Sequence, residues 1–242
     1  MINEIKFVPL EQLTFFEEYK EEQLIKMKSN ISAQKVLINT PVVMRTHSNQ
    51  YLILDGTHRV LALNELGCMN ITVQLIDEKS VKSRSWLHLI QKSEEIITDL
   101  QNNRNFILSR ERLIEKKHGV KVYIEDQIYY IYNNNSKGNK IGEVISFLNS
   151  IIEVYDGKYG YKKQKKEEYS SNSEYITIEF PEFTKQEIIK NINNVLFPAN
   201  VIRFTSNIKT VKDVMIPISV IRSPEANEFE WREILEGLSQ PL

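Results

Sequence analysis

The chain has 242 residues, of which 41% are hydrophobic and 26% charged, so it can form one or two globular domains with a sizeable core. Its 31 basic and 32 acidic residues give a formal net charge of −1. A dedicated duplex-binding protein usually has a basic surplus, because each phosphate contact requires Lys or Arg. A small molecule is therefore the better default partner, and nucleic acid is possible but not favoured.

The cysteine content and the length of the apolar runs indicate the cellular compartment of the protein. Cys68 is the only cysteine, so no intramolecular disulfide can form and a reducing compartment is expected. A secretory signal requires a basic segment followed by an apolar stretch. The N-terminus shows no such pattern. The longest apolar runs are far shorter than the roughly 20 residues that span a bilayer. We therefore expect a cytoplasmic protein with no membrane partner.

The first ninety residues alternate strands and helices. Hydrophobic periodicity predicts the following elements: strands at 6–10, 41–46, 51–54 and 71–76, and helices at 21–32 and 60–66. A polar turn at 47–49 joins two of these strands, and Gly67 stands where a helix C-cap is expected. These elements predict a small mixed α/β unit.

The remainder of the chain is less regular. Composition and spacing predict the following segments: a mostly helical stretch at 80–117, a β-hairpin at 120–132, a loop at 133–138, a helix at 141–154, a mobile linker at 157–173, a strand at 175–180, a helix at 185–195, β-rich stretches at 201–205 and 211–220, and a helix at 228–238. No internal repeat is visible in the sequence.

The junction Asp55-Gly56-Thr57-His58-Arg59, between a predicted strand and a predicted helix, is the most informative segment. Glycine lets the backbone approach a ligand closely, and a helix start presents unpaired N–H groups and a positive dipole end to an anion. Arg59 suits phosphate oxygens because of its forked geometry. The alternative is that Asp55 or Thr57 caps the helix while the basic residues face solvent, and the spacing alone does not decide between them.

With its flanking segments, this junction resembles the signature of the ParB/sulfiredoxin fold. Within that fold it is most similar to the free-serine kinases, whose motif reads Asp-Gly-x-His-Arg. Blocks that carry the resemblance occur in the same order at both ends of the chain: 7–10, 39–43, 55–59, 66–68, 85–86 and 197–204. The segment from about 92 to 190 shows no match.

Two other classes of this fold fit less well. Sulfiredoxins need a nucleophilic cysteine inside the phosphate motif, but Thr57 occupies that position and Cys68 lies a helix away. Chromosome-segregating ParB proteins carry an Arg-rich motif and a helix-turn-helix domain, whereas β-hairpins and a polar linker are predicted beyond residue 90. The remaining alternative to an enzyme is a ParB-like regulator that binds a nucleotide and either DNA or a protein partner.

The resemblance implies an α/β (α+β) fold, with a ParB/sulfiredoxin-like nucleotide-binding domain at 1–90 and a mixed α/β domain at 91–242 that completes the substrate site. It implies a kinase that makes O-phospho-L-serine from free L-serine, with ATP or ADP as donor and Mg²⁺ as cofactor. The donor stays open because both nucleotides present the same diphosphate to a helix start. The product is expected to feed siderophore or other specialised amino-acid synthesis.

The resemblance also implies catalytic roles. An ungapped match places the catalytic carboxylate on Glu17, which would accept the serine hydroxyl proton, and a slip of one residue would place it on Glu18. Without the resemblance, this acidic run reads as a solvated helix start. His58 and Arg59 are expected on the transferred phosphoryl group, and Asp55 is expected to orient the hydroxyl or to hold Mg²⁺.

The other expected site residues bind nucleotide or serine. Thr40, Pro41, Gly56 and Thr57 are implied to lie at the nucleotide, together with His58 and Arg59. For serine, Trp86 is expected either to line the pocket or to belong to the core. Arg203 is expected to clamp the serine carboxylate, with an exposed salt bridge as the competing interpretation.

Two further patterns are interpreted conservatively. The four histidines, His47, His58, His88 and His118, show no metal-ligand spacing with one another or with Cys68, so no structural zinc is predicted. A lysine-rich run at 162–166 is followed at once by two glutamates, which favours a solvated loop. The run still leaves open a local surface for nucleic acid.

Overall fold

The computed structural model describes the following residues: 4–46, 50–113, 119–134, 140–170 and 172–239. Within them, the strands in chain order are β1 Glu4–Pro9, β2 Leu13–Thr14, β3 Val36–Ile38, β4 Val42–Arg45, β5 Tyr51–Asp55, β6 Asn70–Ile76, β7 Val81–Gln91, β8 Phe106–Ser109, β9 Val120–Ile124, β10 Gln127–Asn133, β11 Lys162–Lys165, β12 Tyr175–Glu179, β13 Ile202–Ser206 and β14 Met215–Pro217. The helices are α1 Glu21–Gln34, α2 Thr57–Glu65, α3 Glu94–Gln101, α4 Ile141–Tyr155, α5 Lys185–Asn191, α6 Ile218–Arg222 and α7 Glu228–Ser239. The predicted turn at 47–49, His47, His118 and most of the predicted loop at 133–138 lie outside the described residues.

The chain divides into two units: Met1–Lys82 together with Phe204–Leu242, and Ser83–Arg203. The sequence predicts a boundary near residue 90 and one continuous C-terminal domain. In the structure the chain instead passes between units inside β7 and returns inside β13. Local sequence does not signal this return, because it depends on long-range packing of the last forty residues.

The first unit contains a five-stranded sheet in the order β1-β6-β4-β5-β2. Strands β4 and β5 are antiparallel, whereas β4 and β6 are parallel. Helices α1 and α2 pack together, and their apolar faces reach the core through Leu24, Ile31, Val60 and Leu63. A separate two-stranded sheet pairs β3 with β14. Strand β5, which lies between β4 and β2, ends at Asp55, and α2 begins two residues later at Thr57, so the predicted motif spans this junction.

The second unit contains a seven-stranded sheet in the order β11-β7-β12-β9-β10-β8, with β13 also paired to β7. Helix α4 is its most apolar helix, and it buries Leu148 and Ile151 completely. The strands contribute buried residues such as Ile90, Val122 and Ile178. None of the described helices in either unit is long and apolar enough to cross a bilayer.

The predicted mostly helical stretch at 80–117 is wrong. Its first part is the eleven-residue strand β7, and only α3 and the short strand β8 follow within the described residues. Adjacent side chains on β7, such as Leu87 and His88, are both buried. Because β7 is covered on both faces, the polar–apolar alternation that signals a strand is absent.

Two further predictions need correction. The predicted linker at 157–173 contains β11, which pairs with β7 through four residues of which three are lysines. Charged side chains suit a sheet edge, where lysine blunts unwanted pairing. The predicted β-rich stretch at 211–220 is a strand only in β14, and helix α6 follows it directly.

Candidate active site

The motif begins where β5 ends at Asp55, and Gly56 forms the N-cap of α2 with φ 100°. A Cβ atom at Gly56 would lie 3.0 Å from Arg59 Nε, from Arg59 Nη2 and from Pro41 Cα. The positive φ would strain any other residue, and neighbouring atoms would have to shift to admit a Cβ. The glycine thus brings the backbone, the motif arginine and Pro41 into one small space.

The start of α2 has no side-chain cap. Within the described residues, Gly56 occupies the cap position, no side chain accepts from the first-turn N–H groups, and that turn contains no acidic residue. The alternative in which Asp55 or Thr57 caps the helix is therefore wrong. The first-turn N–H groups and the positive dipole end are directed at whatever lies before the helix.

Arg59 is held beside this helix start. Its side chain is only 15% exposed. One guanidinium nitrogen, Nη1, donates to the carbonyl oxygen of Asn39 at 3.0 Å, and Nη2 pairs with the Asp55 carboxylate. A guanidinium has five donors in a fixed fork, so these two bonds still allow a two-point contact with a phosphate.

Asp55 has an exposed carboxylate, with 71% of its side chain accessible. The described residues include no group of three or more His, Cys, Asp or Glu side chains that could hold a metal ion. Mg²⁺ is commonly bound by one or two carboxylates together with substrate phosphates. The exposed Asp55 carboxylate, next to the start of α2, fits such a shared site.

Thr40 adds an unpaired polar atom beside the motif. Its side chain is 3% exposed, and its Oγ1 has no hydrogen-bond partner among the described residues. A buried donor without a partner costs about 1–3 kcal/mol. Thr40 immediately precedes Pro41, which touches the space above Gly56. An oxygen-rich ligand at this position would offer Thr40 the partner it lacks.

His58 connects α2 to the acidic segment between β2 and α1. The backbone N–H of Lys20 donates to His58 Nε2 at 3.2 Å, so the neutral ring carries its proton on Nδ1. Glu17, which is half-buried, and Glu18, which is exposed, lie two to three residues before Lys20. The structure therefore anchors the acidic segment to the predicted phosphate motif.

Arg203 and Trp86 lie in the second unit. Arg203 is 7% exposed, and its Nη2 donates to the two carboxylate oxygens of Glu167 at 2.7 and 2.5 Å. Two cations lie near the Trp86 ring: the guanidinium carbon of Arg203 is 5.5 Å from the ring centre, and Lys163 Nζ is 5.2 Å from the ring centre. A hydrogen bond from its own backbone and one from Arg203 hold the pKa of Glu167 below its usual range.

Two residues that form hydrogen bonds with the motif were not identified from the sequence. Asn39 acts through its backbone carbonyl and Lys20 through its backbone N–H. Both contacts to the motif are made by backbone atoms, so no pattern of side chains in the sequence indicates them. Asn39 does fall within the block 39–43 that carries the family resemblance, and that position was the available signal.

Comparisons with known proteins support the resemblance that the motif carries. No protein-family model matches the chain. It is 30% identical over 86 residues to the ATP-dependent L-serine kinase SbnI of Staphylococcus aureus. That match covers 36% of this chain and 34% of SbnI, so it spans about a third of the relative's length. The sequence resemblance to serine kinases is thereby confirmed.

Solved structures extend the likeness to nearly the whole chain. A C-terminally truncated SbnI from Staphylococcus aureus superposes with a TM-score of 0.80 at 19% identity and covers 96% of both chains. A free serine kinase in complex with AMP has a TM-score of 0.70 at 14% identity and covers 90% of this chain and 93% of that one. The predicted mixed α/β fold is confirmed, and it is the fold of these proteins.

Proposed function

We propose that this chain is an ATP-dependent kinase of free L-serine that produces O-phospho-L-serine. The observation that carries the proposal is the start of α2 at Gly56, which no described side chain caps, with Arg59 beside it. The Thr40 hydroxyl, which has no hydrogen-bond partner in the part of the chain that the structure describes, lies nearby. Together these groups form a site for the phosphates of a nucleotide. The likeness to SbnI and to a free serine kinase supports the choice of substrate.

In this proposal the motif holds the nucleotide phosphates. The first-turn N–H groups of α2 and the Arg59 guanidinium stabilise the negative charge that spreads over the transferred group. With Nε2 accepting from Lys20, His58 can donate to a phosphate only from Nδ1. Asp55 would hold Mg²⁺, which supplies further charge neutralisation when it is bound.

Glu17 takes the role of general base. The serine hydroxyl oxygen attacks the γ-phosphorus of ATP, and its proton passes to the Glu17 carboxylate as the new P–O bond forms. The bond from the γ-phosphorus to the bridging oxygen breaks, and ADP leaves. Catalysis then depends mainly on positioning and charge stabilisation, which suits a segment tied to α2 through His58.

We place the enzyme in the cytoplasm, where ATP and free serine are available, and its product in siderophore or other specialised amino-acid synthesis. We do not favour a DNA-binding regulator. Lys165 pairs with Glu168 at 2.6 Å, and Lys166 pairs with the largely buried Glu179 at 2.6 Å. These ion pairs neutralise part of the basic run at 162–166 that a nucleic acid would otherwise contact.

The direct test incubates the purified chain with Mg²⁺, L-serine and ATP and follows the products by phosphorus NMR. We expect the O-phosphoserine resonance to grow as ATP is consumed, and chelation of Mg²⁺ to abolish the reaction. A parallel sample with ADP identifies the preferred donor. If the chain binds nucleotide but forms no phosphoserine with either donor, the kinase proposal fails and a nucleotide-binding regulator becomes the better explanation.

Replacing Arg203 by alanine tests the predicted serine contact. If its guanidinium binds the serine carboxylate, loss of a charge-assisted contact should raise the KM for serine about 10- to 100-fold, with little change in ATP affinity. Glu167→Gln is the matched comparison, because it weakens the observed ion pair without removing the arginine. An unchanged KM in Arg203→Ala, with a lower melting temperature, would assign Arg203 to the structure instead.

A further inference from the structure

Asn39 makes three hydrogen bonds in three directions, between β3 and β4. Its N–H donates to the carbonyl oxygen of Val214 at 2.8 Å. Its side-chain Oδ1 accepts from the backbone N–H of Asp213 at 2.7 Å. Its carbonyl oxygen accepts from Arg59 Nη1 at 3.0 Å. One residue thus joins the segment before β14 to the arginine of the phosphate motif.

The backbone of Asn39 makes this arrangement possible. Its φ is 60°, a left-handed conformation that few residues other than glycine adopt and that asparagine tolerates best. The conformation directs the carbonyl towards Arg59. The side-chain bond to Asp213 and the N–H bond to Val214 hold the residue in it. Loss of either bond would loosen the acceptor that orients the guanidinium.

Gln74 provides a second attachment of the same segment. Its side chain is fully buried; it donates from Nε2 to the Lys209 carbonyl at 3.2 Å and accepts from the Val211 N–H at 3.0 Å. The backbone N–H of Gln74 donates to the Pro41 carbonyl at 2.8 Å. Residues 209–214 are therefore attached by two polar side chains, and each attachment leads back to the motif.

We infer that Asn39 is a positioning residue for nucleotide binding, which acts by holding the Arg59 guanidinium over Gly56 with support from residues 209–214. The inference rests on the proposed function. An arginine side chain loses considerable rotamer freedom when it binds, and a guanidinium oriented before binding avoids that cost. The Asp55 carboxylate alone is too exposed to fix the orientation of the guanidinium. The hydrogen bond from Arg59 Nη1 to the Asn39 carbonyl oxygen therefore fixes it.

The test is Asn39→Gly, which retains the backbone conformation and removes only the side-chain bond to Asp213. We expect ATP affinity by calorimetry to fall, and the KM for ATP to rise, about three- to tenfold, the usual effect of one lost hydrogen bond. The KM for serine should stay within about twofold. Lys35→Gly is the matched control, because Lys35 also has positive φ (55°) in this unit but makes no hydrogen bond to the motif among the described residues.

A double-mutant cycle with Arg59→Ala decides whether Asn39 acts through Arg59. Without the guanidinium, Asn39→Gly should have no further effect on ATP affinity, whereas independent effects would add. Additive losses, or unchanged ATP affinity in Asn39→Gly alone, would overturn the inference and leave the kinase proposal intact. A wild-type chain that binds no ATP would instead overturn the proposed function. If circular dichroism shows that the glycine variant is unfolded, Asn39→Ser, whose hydroxyl is one bond shorter, undergoes the same cycle with the same expected loss.

Discussion

Replacing Glu17 by glutamine is expected to lower kcat about 10²- to 10⁴-fold, the range that general base catalysis contributes. Glutamine keeps the size and most of the hydrogen bonding of glutamate, but it cannot accept the serine proton. ATP and serine should therefore still bind, and calorimetry of the variant with each ligand checks this. Steady-state formation of phosphoserine measures the loss in kcat.

Glu18→Gln is the matched control, because it makes the same chemical change one residue away. The side chain of Glu18 is exposed, whereas that of Glu17 is half-buried, so we expect Glu18→Gln to keep at least about a tenth of the activity. Loss of activity in Glu18→Gln alone would move the base by one residue and preserve the mechanism. Near-normal turnover in both variants would remove the proposed base altogether.

Replacing Arg59 by alanine is expected to weaken ATP binding about 10- to 100-fold, because a charge-assisted phosphate contact is worth about 1.5–3 kcal/mol. The fold should survive, since the ion-pair partner of Arg59, Asp55, is largely exposed and can be solvated. Titration calorimetry with ATP gives the affinity, and thermal unfolding without ligand gives the stability.

Arg59→Lys separates charge from geometry in the same experiment. Lysine keeps the positive charge but not the planar fork that contacts two phosphate oxygens together, so we expect only partial recovery of ATP affinity. Unchanged affinity in Arg59→Ala would contradict the phosphate site. A fall in melting temperature without ligand and without any loss of affinity would show instead that Arg59 serves to tie the Asn39 carbonyl to α2.

The motif was predictable because its chemistry is local. The φ of Gly56, the helix start at Thr57 and the proximity of Arg59 to Asp55 four residues earlier all follow from a short stretch of chain. The structure corrected only the capping alternative, since Gly56 rather than Asp55 or Thr57 occupies the cap position. The roles proposed for Glu17 and Arg203 came from family resemblance and stay predictions.

Periodicity and turn residues in the sequence predict the mixed α/β class, most helices and the turn at Gly56, because these signals act over a few positions. The contacts of Arg59 with Asn39, of His58 with Lys20 and of Asn39 with Asp213 became visible in the folded structure, since they join residues far apart in the chain. The tertiary structure also decided that β7 is a strand and that the last forty residues return to the first unit. Burial on both faces hides a strand's alternation, and the contacts that close a unit leave no local pattern.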